Sequence, residues 1–211
     1  METSDAGDGE PLNAQPIAAL LDGMPVENHA HLRGRLIVDD PEGFADFTPA
    51  NAREHGTSMA SLILHGDLDE HAPPLNRPLV VRPVMTYDAA NRAEKTPPDR
   101  LPLDVIYQAV RRILEGDAGA SASAPSVVVI NLSLGDLNQP FSGRLSPWAR
   151  LLDWLSFRYR VLFLVSAGNT RGWLPVRSYL NTRGRSRMRE TRSSGSVRGA
   201  SGDGRPYRES N

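Results

Sequence analysis

The sequence predicts an α/β fold in which a parallel sheet carries helices on both faces. Three observations lead there. Short apolar runs rich in β-branched residues recur along the chain, segments of helical period lie between them, and Gly, Pro, Asp or Ser marks the junctions.

The first run, Ile17 to Leu21 (IAALL), is closed by Asp22-Gly23, a turn signal, and reads as a buried strand ending at Asp22. Residues Gly56 to His65 place Met59, Ala60, Leu62, Ile63 and Leu64 among small residues, as a buried helix does, and Gly66 caps it. Leu79 to Val84 (LVVRPV) reads as a strand with Pro83 at its end, because proline cannot donate to a sheet ladder. Leu103, Ile106, Tyr107, Val110, Ile113 and Leu114 fall at helical spacing, and Gly116 stops that helix. Ser126 to Leu132 (SVVVINL) is a continuous strand of the kind buried on both faces. Ser146 as N-cap and Pro147 as first helical residue open a helix carrying Trp148, Leu151, Leu152 and Leu155 on one side. Val161 to Val165 (VLFLV) is a further buried strand. Trp148 and Trp154 read as core and surface packing.

Composition bounds what these elements can do. The chain has 211 residues, 39% of them hydrophobic and 23% charged, which suits one globular domain with a real core. No apolar run approaches the ~20 residues of a membrane-spanning helix. The polar, acidic start METSDAGDGEPLN lacks the features of a secretory signal, so a cytoplasmic location is expected. The absence of cysteine excludes disulfides, thiolate metal sites and a cysteine nucleophile. The net charge of −1 conceals an asymmetry: 22 acidic and 14 basic residues up to Asn169, then 3 acidic and 10 basic, all ten arginine. From about Asn181 the chain has almost no aliphatic residues and no periodicity, so a disordered tail is expected. Such a tail can serve as an arm for nucleic acid or a membrane surface. Its dominance by Arg, Gly and Ser favours instead a solvated segment outside the fold, of the sort an interrupted reading frame leaves. Neither nucleic acid nor a membrane is therefore expected as a partner.

Sites on parallel sheets lie beyond the carboxyl ends of the strands. That places Asp22, the run Asn131-Leu132-Ser133-Leu134-Gly135, and Ala167-Gly168-Asn169 at one end of the molecule, with His55 joining them from the start of its helix. Taken singly, each has a plain structural explanation. Asp22 before glycine suits a turn, His55 a cap, and Asn169 a left-handed loop position. His29-Ala30-His31 has the alternation of a strand-borne metal pair, with no further ligand cluster at suitable spacing. The stretch EHGTSMAS is ambiguous in itself, since either His55 or Ser58 can be its chemical residue.

Together these segments resemble the subtilisin-like serine proteases, the subtilases. LLDGMPVENHAHL (Leu20 to Leu32) is similar to their aspartate motif, EHGTSMAS to their histidine motif, VVVINLSLG to their substrate-binding strand, and LFLVSAGN to their oxyanion asparagine motif. The four occur in the family's order between Ile17 and about Asn169. Aspartate, then histidine, then serine is the chain order of the subtilisin triad. The resemblance makes His55 the motif residue and leaves Ser58 as a helix residue that faces the core or caps a turn. It implies Asp22, His55 and Asn169 as catalytic residues and Ser133, Leu134 and Gly135 as the edge on which a peptide or protein substrate pairs. No cofactor and no metal is expected, and no calcium loop is identified in the sequence, though the family often has such loops.

The resemblance also implies an incomplete domain. Only 42 residues follow Asn169, and Ser201 in RGASGDG is a poor counterpart of the family's nucleophile loop. The expected layout is a flexible acidic N-terminus over 1–14, a partial subtilase catalytic domain over 15–181 and a disordered tail over 182–211. The chain is then expected to be inactive, a truncated or frame-interrupted endopeptidase, with an exposed sheet edge through which copies can self-associate. A noncatalytic peptide-binding module derived from a subtilase is the alternative. A metal-dependent hydrolase built on His29, His31 and Asp22 is a third.

Overall fold

The computed structural model describes residues 14–166 apart from 71, 118 and 136–144. The acidic N-terminus, Asn169 and the arginine-rich tail lie outside the described residues. In chain order the elements are β1 (Ala18–Asp22), β2 (Leu36–Val38), α1 (Phe44–Phe47), α2 (Glu54–His65), β3 (Leu79–Pro83), β4 (Thr86–Asp88), β5 (Ala93–Lys95), α3 (Pro102–Leu114), β6 (Gly116–Asp117), β7 (Ala120–Ser121), β8 (Val129–Leu132), α4 (Pro147–Tyr159) and β9 (Leu162–Val165).

Five strands form one sheet in the order β2-β3-β1-β8-β9, every pair parallel. β4 pairs with β5 and β6 with β7 in two small antiparallel ribbons. Burial explains why the parallel strands are apolar. On one face Ala19, Leu21, Val80, Ile130, Leu132 and Phe163 meet α3 and α4 through Ile106, Val110, Ile113, Leu152 and Leu155. On the other, Leu20, Leu79 and Val81 meet Ala60 and Leu64 of α2, closed off by Leu32. The sheet therefore has helices on both faces, as the alternation of elements predicts. Fully burying a leucine or isoleucine contributes roughly 1.5–3 kcal/mol, so these two clusters dominate the stability of the domain.

β1 lies at the centre, and Asp22 is its last residue. Pro83 stands opposite Asp22 and ends β3 because it has no amide hydrogen; Val84 resumes the pairing by donating to the Asp22 carbonyl at 2.8 Å. The crossovers on either side of β3 run over opposite faces, so a crevice opens at the carboxyl ends of the strands beside β1. α4 begins as predicted, with Ser146 Oγ accepting from the Ala149 amide at 3.2 Å and Pro147 at the first helical position. Gly66 closes α2 by donating to the Leu62 carbonyl at 2.9 Å with φ 67°.

Several expectations need correction. The strand expected over Ser126–Leu132 begins only at Val129 and alternates in burial. The amides of Val128 and Val129 both donate to the Ile17 carbonyl, which breaks the ladder there, and Val128 is 51% exposed. On the face opposite α3 and α4, α2 covers β1 and β3 but leaves β8 partly open. β9 is not fully buried either: Leu162 is exposed, because β9 is the outer strand among the described residues. Trp148 is buried and Trp154 exposed, as expected. β2 and both ribbons were not foreseen. No helix among the described residues is long and apolar enough to cross a membrane.

Candidate active site

β1 delivers Asp22 to the crevice with its side chain almost wholly buried, 1% exposed. Its Oδ1 accepts from the Gly23 amide at 2.6 Å and lies 2.7 Å from His55 Nδ1. Oδ2 is buried with no partner among the described residues. A carboxylate oxygen only accepts, so the proton of this bond resides on His55 Nδ1, and Nε2 carries the free lone pair of the neutral ring. Nε2 has no hydrogen-bond partner among the described residues.

Gly56 makes that approach possible, and Gly23 makes room for Glu94 beside it. Gly56, directly after His55, packs onto the Asp22-Gly23 turn so tightly that a Cβ on it would sit 2.4 Å from the Gly23 carbonyl oxygen. Any side chain there pushes the first turn of α2, and the imidazole with it, away from β1. Gly23 in turn has the Glu94 carboxylate over its Cα; a Cβ would meet Glu94 Oε1 at 2.0 Å. The Asp-Gly and His-Gly pairs of the sequence are thus a contact between two backbones.

Thr57 braces the same junction. Its Oγ1 donates to the Arg53 carbonyl at 2.5 Å and accepts from the Val26 amide at 2.9 Å, tying the segment after Asp22 to α2. His55 keeps half of its side chain exposed, 53%, so the ring faces the crevice while Asp22 holds it from behind. Its pKa is raised above the ordinary imidazole value, first by the hydrogen bond to Asp22; burial opposes the shift, and the charges of Asp22 and Glu94 reinforce it.

Beside the ring is a cleft of about 420 Å³. One wall is α2 with Glu54, His55 and Ser58; the other is the β4-β5 ribbon with Tyr87, Arg92 and Glu94. Asp88 shapes that ribbon, accepting from Lys95 Nζ at 2.6 Å, from Asn91 Nδ2 at 2.7 Å and from the Ala90 amide at 3.0 Å. These bonds, that of Lys95 foremost, hold the Asp88 carboxyl well below the usual carboxylate range. Behind the crevice, Arg82 is 3% exposed and forms a two-pronged pair with Glu42 at 2.6 and 2.7 Å. Burial pushes the Glu42 carboxyl up, but the bond and charge of Arg82 outweigh it and the net shift is downward.

The structure brings Asp22 and His55 together. Ser58, expected to face the core or cap a turn, is instead exposed on α2 one turn after His55, lining the cleft. It lies there because three residues along a helix returns to nearly the same face. Ser133, Leu134 and Gly135 leave β8 at the same end of the sheet as Asp22, on the strand next to β1. Ser133 Oγ donates to Asn131 Oδ1 at 2.5 Å. Among the described residues no backbone hydrogen bond engages this segment, and a Cβ on Gly135 would meet only Ser166 Oγ at 4.0 Å. Asn169 lies outside the described residues.

His29 and His31 do not join Asp22. Their ring centroids are 5.4 Å apart, His31 is as far from His65, and His65 Nε2 bonds the His31 carbonyl at 2.7 Å. Among the described residues no group of three His, Asp or Glu side chains converges as a metal site does. Glu94, Tyr87 and Thr57 are site residues that sequence reading did not single out. The turn composition of Asp88-Ala89-Ala90-Asn91 marks a hairpin, but nothing in it directs Glu94 toward His55.

No curated protein matches the chain. Among solved structures, the chain is similar to the prenylagaramide maturation protease PagA, at 22% identity and a TM-score of 0.46, over 76% of this chain and 47% of that one. The chain thus spans about half the length of that protease. The family model described as the subtilase family matches residues 15–199, which takes in both members of the Asp22–His55 pair and most of the sequence, so the chain belongs to the subtilase family of serine peptidases.

Proposed function

We propose that this chain carries the general-base half of a subtilisin-like serine endopeptidase site. His55 is the base, Asp22 orients it, and the nucleophilic serine is not among the residues at its side. The observation that carries the reading is the 2.7 Å bond between His55 Nδ1 and Asp22 Oδ1. It fixes the tautomer and leaves Nε2 facing the cleft to take a hydroxyl proton, then to return it to the leaving amine. The imidazolium formed in between is stabilised by the buried carboxylate behind it. Because the pKa of His55 is raised, the ring is in its basic form only above that raised value. In this reading Asn169 donates to the developing oxyanion, and an extended peptide adds as a strand along Ser133, Leu134 and Gly135.

The chain alone, on this account, does not hydrolyse peptides. A fluorophosphonate, which labels activated serines, leaves it unmodified; an adduct on Ser58 overturns the division of roles. Fusion to the C-terminal half of a subtilase domain with a Gly-Thr-Ser-Xaa-Ala loop restores labelling, and His55→Ala abolishes it again. That no serine hydroxyl bonds His55 among the described residues is what a second reading, a peptide-binding module without catalysis, accounts for. Restored labelling in the fusion separates the two, because a module that has lost its chemistry stays unlabelled.

A further inference from the structure

The cleft beside His55 has an acidic wall that peptide-bond chemistry itself does not use. Glu94 stands on β5 with its carboxylate over Gly23, and Oε1 is buried without a hydrogen-bond partner. Burial pushes its carboxyl pKa up, and the Asp22 charge adds to that, while the His55 charge and a hydrogen bond from the Met24 amide pull the other way. A carboxylate taken out of water is costly unless a cation pairs with it. Among the described residues no lysine or arginine forms an ion pair with Glu94. Arg92 lines the same cleft from the turn of the ribbon, but its charge is not among those acting on Glu94. Glu54, in the first turn of α2, adds a second carboxylate to the lining.

We infer that Glu94 selects substrates carrying a lysine or arginine at the residue seated against His55. The inference rests on the proposed peptidase reading, since it assigns the specificity of that same cleft. The volume, about 420 Å³, admits one such side chain. Tyr87 on the ribbon offers an aromatic wall for the methylene stem while the charged end reaches the carboxylate. A neutral side chain in that position leaves Glu94 without a lysine or arginine partner, as it is without substrate. An acidic one adds a third negative charge beside Asp22.

The test is binding of hexapeptides to the full chain, followed by NMR. One lysine walks through an alanine-serine background, and norleucine replaces it in a control series. At one peptide position lysine binds about tenfold more tightly than norleucine, the scale of one charge-assisted hydrogen bond. Glu94→Gln removes that gain, so that lysine and norleucine peptides bind with equal affinity. A gain equal at every position, a gain that survives Glu94→Gln, or no binding by any peptide overturns the inference. Should Glu94→Gln fail to fold, Glu94→Asp carries the test: it draws the carboxylate back by one methylene and reduces the lysine gain, and an unaltered gain overturns the inference. Titrating His55 in the same samples separates the two readings. Absence of a lysine preference in the wild-type chain while His55 stays coupled to Asp22 overturns this inference alone. A His55 that titrates as a free imidazole, with the lysine preference present, overturns the peptidase reading alone.

Discussion

His55 Nδ1 meets Asp22 Oδ1 at 2.7 Å, joining the first turn of α2 to the last residue of the central strand. The bond gives stability a pH dependence whose sign follows from the raised pKa of His55. A group whose folded pKa exceeds its unfolded value contributes stability that is fully present below the unfolded value, about 6.5 for imidazole. That contribution is lost as pH rises through the folded value. Urea denaturation of wild type and Asp22→Asn should therefore show a stability difference that shrinks between pH 6 and pH 9. A difference that grows over this interval would contradict the ion-pair account.

Gly56→Ala should be among the most damaging single substitutions in the domain. Its Cβ is aimed at the Gly23 backbone at 2.4 Å, and backbone cannot rotate aside as a side chain can. Overpacking of this kind costs about 3 kcal/mol. The midpoint of chemical denaturation reads the loss, and the His55 NMR signals should lose their coupling to Asp22 in whatever fraction stays folded.

Thr57→Val keeps the shape and removes the hydroxyl that accepts from the Val26 amide at 2.9 Å. The amide is left unsatisfied, at a cost of about 1–2 kcal/mol. Hydrogen exchange at Val26 should accelerate while amides of β3 remain protected. Equal acceleration in both would mean that Thr57 acts on global stability and not on this junction.

Glu42→Ala leaves Arg82 buried at 3% exposure without its two-pronged partner; the Asp39 carboxylate lies 4.0 Å from Nε, and Nη1 keeps only the Asp39 and Pro83 carbonyls at 3.1 and 3.3 Å. Breaking a buried pair by removing one member costs about 3 kcal/mol. Replacing both, as in Arg82→Met with Glu42→Leu, should recover much of that loss in a double-mutant cycle.

How much of this was legible beforehand varies with how far each residue's role depends on the rest of the fold. β1, β3, α3 and α4 were readable because their signals are local: apolar runs closed by Asp22-Gly23 and Pro83, and the Ser146-Pro147 start. Leu36–Val38 escaped because three apolar residues are too few to show a period, and β2 exists only through its register with Leu79–Val81. The late start of β8 depends on Val128 and Val129 sharing one carbonyl, a tertiary detail. At the site, Asp22 and His55 were readable through their motifs, whereas Glu94 enters only because the β4-β5 ribbon folds back over Gly23. Ser58 was misplaced because its small size suits both a core and a surface, and helix phase alone decides which.

The central claim is that Asp22 holds His55 as a poised base, and its most direct test is an NMR titration of the His55 ring in wild type and in Asp22→Asn. The account predicts a wild-type midpoint above that of an ordinary imidazole, the Nδ1-protonated tautomer at high pH, and a lower midpoint in Asp22→Asn. A wild-type midpoint at the ordinary value that Asp22→Asn leaves unmoved would contradict it.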